Sequence, residues 1–167
     1  MTHRSLVVLV LGATALAACD ATQDDLPSSY VASTLTVESG AQTVDLLDTG
    51  GLLSVDFGAP EGRPQAYGTF LVPSVLIGGG GVDASIFYVG TYERRDGRVT
   101  FDVRPVQVHA FVDGRPVDGP QPISDVEARG LIATFVEDPV WRVGTRTLEA
   151  EPGAVQARLE EQVGGFD

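Results

Sequence analysis

The chain contains few of the residues that carry out chemistry in proteins. It has one cysteine, Cys19, and two histidines, His3 and His109. A zinc site needs several cysteine or histidine ligands. A serine-histidine-aspartate triad would have to use His109, and no Gly-x-Ser-x-Gly turn is present to expose a serine. We therefore predict no catalytic residue, no metal site and no cofactor, and we expect His109 to be a solvent-facing or hydrogen-bonded structural residue.

A set of aromatic side chains is the remaining candidate for a binding surface. Tyr88 and Tyr92 share one face of an extended segment because side chains alternate along a strand. Phe101 and Trp141 follow in segments with the same alternation, and Arg94 adds a charge on the face of the tyrosines. These residues either form plain hydrophobic core or line a pocket for an apolar ligand, with Arg94 at its rim for an anionic headgroup. A buried tyrosine hydroxyl needs a hydrogen-bond partner, which a ligand could supply.

The first nineteen residues have the organisation of an export signal. His3 and Arg4 form a basic start, residues 6–16 are mostly apolar, and Ala17 and Ala18 are small. The apolar run of about eleven residues is shorter than the roughly 20 that a membrane-spanning helix needs. This order of features is typical of a secretory signal peptide.

The end of that signal, Leu16-Ala17-Ala18-Cys19, resembles the lipobox of bacterial lipoproteins. The resemblance implies cleavage after Ala18 and attachment of acyl chains to Cys19, which would bind the protein to a membrane. An ordinary secreted protein with an incidental Cys19 is the alternative. Asp20 resembles the inner-membrane retention signal of some lipoproteins. The anchor is expected in either the cell membrane or the outer membrane, with the domain facing the periplasm or the cell surface.

The predicted organisation is a signal peptide at residues 1–18, a lipidated flexible tether at 19–29 and a single β domain at 30–167. Removal of residues 1–18, which contain one arginine and no acid, changes the net charge from −12 to −13. Such an acidic chain repels nucleic acid and anionic lipid headgroups. With a single cysteine no intrachain disulfide can form, so packing alone must stabilise the domain.

Short segments of alternating polarity, separated by turn signals, make up most of the domain. Residues 31–37 and the inward set Leu53, Val55 and Phe57 predict two strands. Asp96-Gly97 predicts a two-residue type I′ hairpin. That turn would pair Tyr92 with Phe101 and place both on one face of the sheet.

Four further predictions complete the domain. The apolar period shifts by one residue at Arg104-Pro105, from Val103 to Val106, Val108, Ala110 and Val112, which indicates a bulge or a strand end. Residues 126–136 read as a central strand and residues 141–147 as the last strand. Pro152 begins a predicted amphipathic helix because Val155, Leu159 and Val163 recur every four residues. Residues 78–81 are four glycines without the lysine of a phosphate-binding loop, so we expect a flexible loop or, as the alternative, a mobile lid over the mouth of a barrel.

Eight or nine short strands at this spacing predict an all-β antiparallel barrel or, as the alternative, a β-sandwich. Gly90-Thr91-Tyr92 followed by residues 96–101 is similar to the central hairpins of small bacterial lipocalin-like lipoproteins. The resemblance implies an up-and-down barrel of about eight strands with a short C-terminal helix, able to hold a small apolar or amphipathic ligand. A β module with a filled core that contacts another envelope protein is the alternative, and no residue pattern favours an enzyme.

Overall fold

The computed structural model describes residues 29–39, 42–59, 62–78, 81–119 and 121–163. The predicted signal peptide and Cys19 lie outside the described residues, as does the tether up to residue 28.

The described residues form ten strands and one short helix. The strands are β1 (Ser29–Ser39), β2 (Gln42–Asp45), β3 (Leu52–Gly58), β4 (Gln65–Val72), β5 (Asp83–Arg95), β6 (Arg98–Val112), β7 (Arg115–Val117), β8 (Trp141–Val143), β9 (Thr147–Ala150) and β10 (Val155–Glu161). Helix α1 (Asp125–Ile132) lies between β7 and β8 and continues as a π turn, Ala133–Glu137. A 3-10 turn, Ser74–Leu76, lies between β4 and β5.

Eight of these strands close into an antiparallel up-and-down barrel, which confirms the predicted fold class. Their order around the barrel is β1, β3, β4, β5, β6, β8, β9 and β10, and β10 pairs with β1 to complete the ring. The short strands β2 and β7 pair only with β1 and β6, respectively. Closure pairs each strand of the ring with a neighbour on both sides along at least part of its length.

The central hairpin has the predicted register. Asp96 and Gly97 have φ angles of 51° and 72°, as a type I′ turn requires. Tyr92 pairs with Phe101, and both side chains are buried. On β3, Leu53, Val55 and Phe57 point into the barrel as predicted.

Bulges in two strands change which residues face inward. In β6 the register shifts between Pro105 and Gln107, opposite Phe87 and Tyr88, so Val108 becomes buried as predicted. The prediction that Val106 also faces inward is wrong, because it is the unpaired residue of the bulge and is 55% exposed.

A similar shift in β1, between Ala32 and Thr34, brings both Tyr30 and Leu35 into the core. The uninterrupted alternation predicted for residues 31–37 is therefore wrong.

The predicted strand at residues 126–136 is wrong, since this segment is α1 and its π turn. Ser124 is the N-cap: its hydroxyl accepts a hydrogen bond from the Glu127 amide, and the Glu127 carboxylate accepts one from the Ser124 amide. This capping box satisfies two backbone donors that a helix start would otherwise leave unpaired. Apolar residues on several sides of the segment reflect helix burial rather than a central strand.

The predicted helix after Pro152 is also wrong, because that segment is β10. Val155, Ala157 and Leu159 are buried and alternate with exposed residues. A spacing of four places residues on one face of a strand as well as of a helix, and pairing with β1 decides for the strand. The single last strand predicted at residues 141–147 is instead split between β8 and β9, which form a hairpin around a tight turn.

Gly68 is a position in the barrel wall that tolerates no side chain. A Cβ atom there would collide with the Ser54 carbonyl oxygen and with the Tyr88 hydroxyl group. We expect Gly68→Ala to lower the free energy of unfolding by about 1–3 kcal/mol, the usual cost of overpacking. Gly130→Ala is the matched control, since a Cβ on this exposed helical residue meets nothing within 4 Å. Urea unfolding should show the control unchanged or slightly stabilised, and equal effects of both variants would contradict the argument.

Candidate functional site

The predicted aromatic residues lie together inside the barrel. Tyr88, Tyr92, Phe101 and Trp141 are all buried and belong to one core cluster. The strand register explains the grouping, because Tyr92 pairs with Phe101, and Trp141 pairs with Val99 two residues along the same strand. The face-sharing inferred from the sequence is therefore confirmed, while the ligand pocket remains a prediction.

Rings from two other strands pack against these residues. Phe57 lies at the centre, with its ring centroid 4.8 Å from that of Tyr92 and 5.9 Å from that of Phe101. Tyr30 packs edge-on against Phe57 at 5.7 Å, and Phe101 packs edge-on against Trp141 at 6.3 Å. These separations are those of aromatic pairs in contact. We call the five residues the aromatic cluster: Tyr30, Phe57, Tyr92, Phe101 and Trp141.

Tyr30 and Phe57 were not among the predicted site residues. Phe57 could have been included from its place in the inward alternation of β3. Tyr30 could not, because the bulge in β1 changes the phase of the residues that follow it.

Tyr88 satisfies its hydroxyl within the protein. The side chain crosses the inner face of β4 at Gly68, and its hydroxyl group donates a hydrogen bond of 2.5 Å to the Ser54 carbonyl oxygen. Burial and, to a smaller extent, the Asp56 carboxylate raise the pKa of Tyr88 well above its ordinary value. This hydroxyl therefore needs no ligand as its partner.

Arg94 lies half-buried at the rim of the barrel, near the turn between β5 and β6. It pairs with Val99 across the hairpin. Its charge acts on Tyr30 and lowers the pKa of that residue, but burial and the Glu161 carboxylate have the larger, opposing effects, so the Tyr30 pKa is raised overall. Arg94 is thus electrostatically linked to the aromatic cluster at this end of the barrel.

Helix α1 and its π turn cover the side of the barrel where β8 is too short to pair with all of β6. Phe135 enters the core, with its ring centroid 4.8 Å from that of Phe70. The indole nitrogen of Trp141 donates a hydrogen bond of 3.0 Å to the Val136 carbonyl oxygen. The helical segment therefore takes the place of a longer strand and fixes the orientation of Trp141.

Two charged side chains of the helical segment form the hydrogen bonds that a strand beside Val103 would otherwise form. The Val103 amide donates to the Glu137 carboxylate at 2.9 Å, and Arg129 donates to the Val103 carbonyl oxygen at 2.6 Å. Arg129 and Glu137 also form an ion pair at 2.6 Å. Both backbone groups of Val103 that face away from β5 are thus satisfied without a neighbouring strand.

A cavity of about 390 Å³ lies at the end of the barrel far from the β5–β6 turn. It is bounded by the connection between β4 and β5, the end of β6 and the segment after β7. Its lining residues are mainly apolar or small: Ile77, Val82, Ala110, Val117, Asp118, Gly119, Gln121 and Pro122. This volume falls within the range of small-molecule sites, roughly 300–1,000 Å³. The glycine run at residues 78–81 adjoins it in the sequence, although residues 79–80 lie outside the described part of the chain.

The described residues offer little else for chemistry. No group of three or more histidine, cysteine, aspartate or glutamate side chains is placed to hold a metal ion in this part of the chain. His109 lies exposed on the outer side of β6, opposite Ser85 of β5, as its phase predicts. Within the same residues, none of the helices has the length and apolar character needed to span a bilayer.

The buried tyrosine predicts an alkaline limit to stability. The folded state holds the Tyr88 pKa above its ordinary value of about 10. Above that pH the unfolded chain loses the proton while the folded chain retains it, so stability is complete below about pH 10 and falls as the pH rises. We expect Tyr88→Phe to lose about 1 kcal/mol at pH 8, because the hydrogen bond to Ser54 is removed, and to reduce the loss of stability between pH 9 and pH 11. Tyr67→Phe, which alters an exposed residue, is the control, and unfolding free energies with the same pH slope for wild type and Tyr88→Phe would contradict the assignment.

Comparisons of the chain with protein-family models, with curated proteins and with solved structures found no match. The conclusions about function therefore depend on the residues and on their geometry.

Proposed function

We propose that the protein is a lipid-anchored component of the bacterial cell envelope whose barrel acts through its outer surface, as an interaction module, rather than by enclosing a ligand. One observation supports the proposal that the barrel acts through its outer surface. The interior positions where a lipocalin-like protein would hold its ligand are occupied by the aromatic cluster, whose rings contact one another.

The helical segment supports the same interpretation. Ile132, Phe135 and Val136 are buried and close the side of the barrel that the short β8 leaves open. Trp141, the largest side chain of the interior, is fully buried and is held through the Val136 carbonyl oxygen. Opening a pocket beside Trp141 would therefore require the helical segment to move as well.

The leader supports the anchor. Leu16-Ala17-Ala18-Cys19 has the order of residues that acylation requires, and β1 begins at Ser29, ten residues after the cysteine. Two or three acyl chains on Cys19 would bind the protein stably to a bilayer without a transmembrane helix. So short a connection would hold the barrel close to the membrane surface.

The proposal that the interior is filled can be tested with small apolar probes. We expect the wild-type barrel to bind neither benzene nor xenon in its interior and Phe57→Ala to bind benzene, because loss of this central ring leaves a cavity lined by apolar side chains. Titration of each protein with the probe, monitored by NMR of core methyl groups, measures this binding. If Phe57→Ala unfolds, Phe57→Val with xenon replaces it. Saturable binding of either probe among the core methyl groups of the wild type would contradict the proposal.

A second candidate function is the binding of a small apolar or amphipathic ligand, favoured by the cavity at the far end of the barrel. Its apolar lining and its volume of about 390 Å³ suit such a molecule. Native mass spectrometry of the full-length protein would detect a retained ligand. Loss of that ligand in Val117→Trp, but not in Val126→Trp on the exposed side of α1, would assign binding to this cavity and replace the first proposal.

The anchor has a separate test. In a bacterial host supplied with labelled fatty acid, we expect the wild type to incorporate the label and Cys19→Ala to incorporate none, because the thiol is the proposed attachment site. Ser28→Ala, a substitution directly before β1 in the sequence, is the control and should remain labelled. Persistence of the label in Cys19→Ala would show that the acyl chains, if present, are attached elsewhere.

A further inference from the structure

The outer surface of β3 to β6 carries a group of exposed apolar side chains. Leu52 is 39% exposed, Tyr67 and Phe87 are each 46% exposed, and Val106 is 55% exposed. We call these four residues the outer apolar patch.

The register places the members of this patch on neighbouring strands. Phe87 pairs with Thr69, two residues from Tyr67 on β4, so the two aromatic rings are diagonal neighbours across adjacent strands. Leu52 pairs with Leu71 at one side of the patch. At the other side, the bulge in β6 places Val106 next to the Phe87–Gln107 pair.

The position of Ser29, the first described residue of β1, relates this patch to the proposed anchor. Ser29 pairs with Asp56 on β3, and Asp56 pairs with Tyr67 on β4. Two strand spacings, about 10 Å, therefore separate Ser29 from Tyr67. Ten residues lead from Cys19 to Ser29, a stretch that reaches at most about 36 Å. An acylated Cys19 would hold the patch within a few nanometres of the bilayer.

We propose that the outer apolar patch lies on the lipid surface in which Cys19 is anchored, with Tyr67 and Phe87 entering the interfacial region of the bilayer. The inference rests on the proposed acylation of Cys19. Tyrosine suits this location because its ring is apolar and its hydroxyl remains at the level of water and headgroups.

The area and the shape of the patch favour lipid over a second copy of the chain. Four half-exposed side chains offer roughly 300–400 Å², whereas a stable protein interface buries about 800 Å² on each partner. The patch also lies on the convex side of a barrel, with Tyr67 and Phe87 on the two central strands. A convex ridge can enter a deformable lipid surface but contacts a second barrel along a narrow line. A tethered protein needs little additional area, because the anchor keeps the patch at a high effective concentration near the membrane.

The charges around the patch indicate the lipid class. Asp56 and Arg104 lie in the same row as Tyr67, one on each side. Among the described residues neither forms an ion pair within the chain. This pair of opposite charges suits a zwitterionic headgroup, which carries both signs. The large net negative charge of the chain disfavours a surface of anionic lipid.

The test uses tryptophan fluorescence of the full-length acylated protein in phosphatidylcholine vesicles whose acyl chains carry bromine, a quencher at short range. Phe87→Trp places the probe in the patch, and Tyr67→Trp provides a second position. Gln156→Trp on β10, an exposed residue on the opposite side of the barrel, is the matched control. The native Trp141 is fully buried and contributes the same background to all variants. We expect at least twofold more quenching for the two patch probes than for the control.

The outcomes separate this inference from the anchor. Co-flotation of the protein with the vesicles combined with equal quenching at residues 87 and 156 would overturn the inference while leaving the anchor intact. Failure of the wild type to float with the vesicles would overturn both. A concentration-dependent dimer in detergent that Phe87→Ser abolishes, together with unquenched patch probes, would assign the patch to a second copy and also overturn the inference.

Discussion

Pairing of β10 with β1 is the interaction on which the rest of the structure depends. It joins residues near the two ends of the described chain, from Tyr30 with Glu161 to Val37 with Val155, and turns an eight-strand sheet into a ring. Without it both strands would expose backbone donors and acceptors at a free edge. The sequence has a single cysteine, so no intrachain disulfide can form, and hydrogen bonding around the ring and packing within it stabilise the domain.

A closed ring has a limited interior volume, and side chains from several strands must pack within it. Because Gly68 has no side chain, Tyr88 can cross the barrel wall there and donate a hydrogen bond to the Ser54 carbonyl oxygen. Phe57 occupies the centre of the aromatic cluster, between Tyr92 and Phe101. The aromatic cluster thus lies inside the ring, whereas the outer apolar patch lies on its outer surface and the cavity at its far end.

The helical segment covers a part of β6 that has no neighbouring strand. Because β8 has only three residues, β6 has no strand beside it at Val103. The side chains of Arg129 and Glu137 supply the missing donor and acceptor. Their mutual ion pair offsets the free energy that is lost when the two charges leave water. Apolar residues of the same segment enter the core at Phe70. The π turn, a rare geometry, lies where these polar and apolar contacts must be made within a few residues.

The sequence by itself determined the all-β antiparallel class, the turn at Asp96-Gly97, the pairing of Tyr92 with Phe101 and the change of phase near Pro105, because each depends on neighbouring residues and on a period of two. Only the tertiary structure decided for a barrel over a sandwich, for a helix within residues 126–136 and for a strand at β10. The spacing of Ser124 and Glu127 is that of a capping box and favours a helix start, but the apolar residues after it also suit a strand. The spacing of Val155 and Leu159 fits a strand and a helix equally well until β1 lies beside it. How the aromatic residues pack together also lay beyond the sequence. That packing depends on Tyr30, Phe57 and the helical segment, which contact the predicted residues only after the ring has closed.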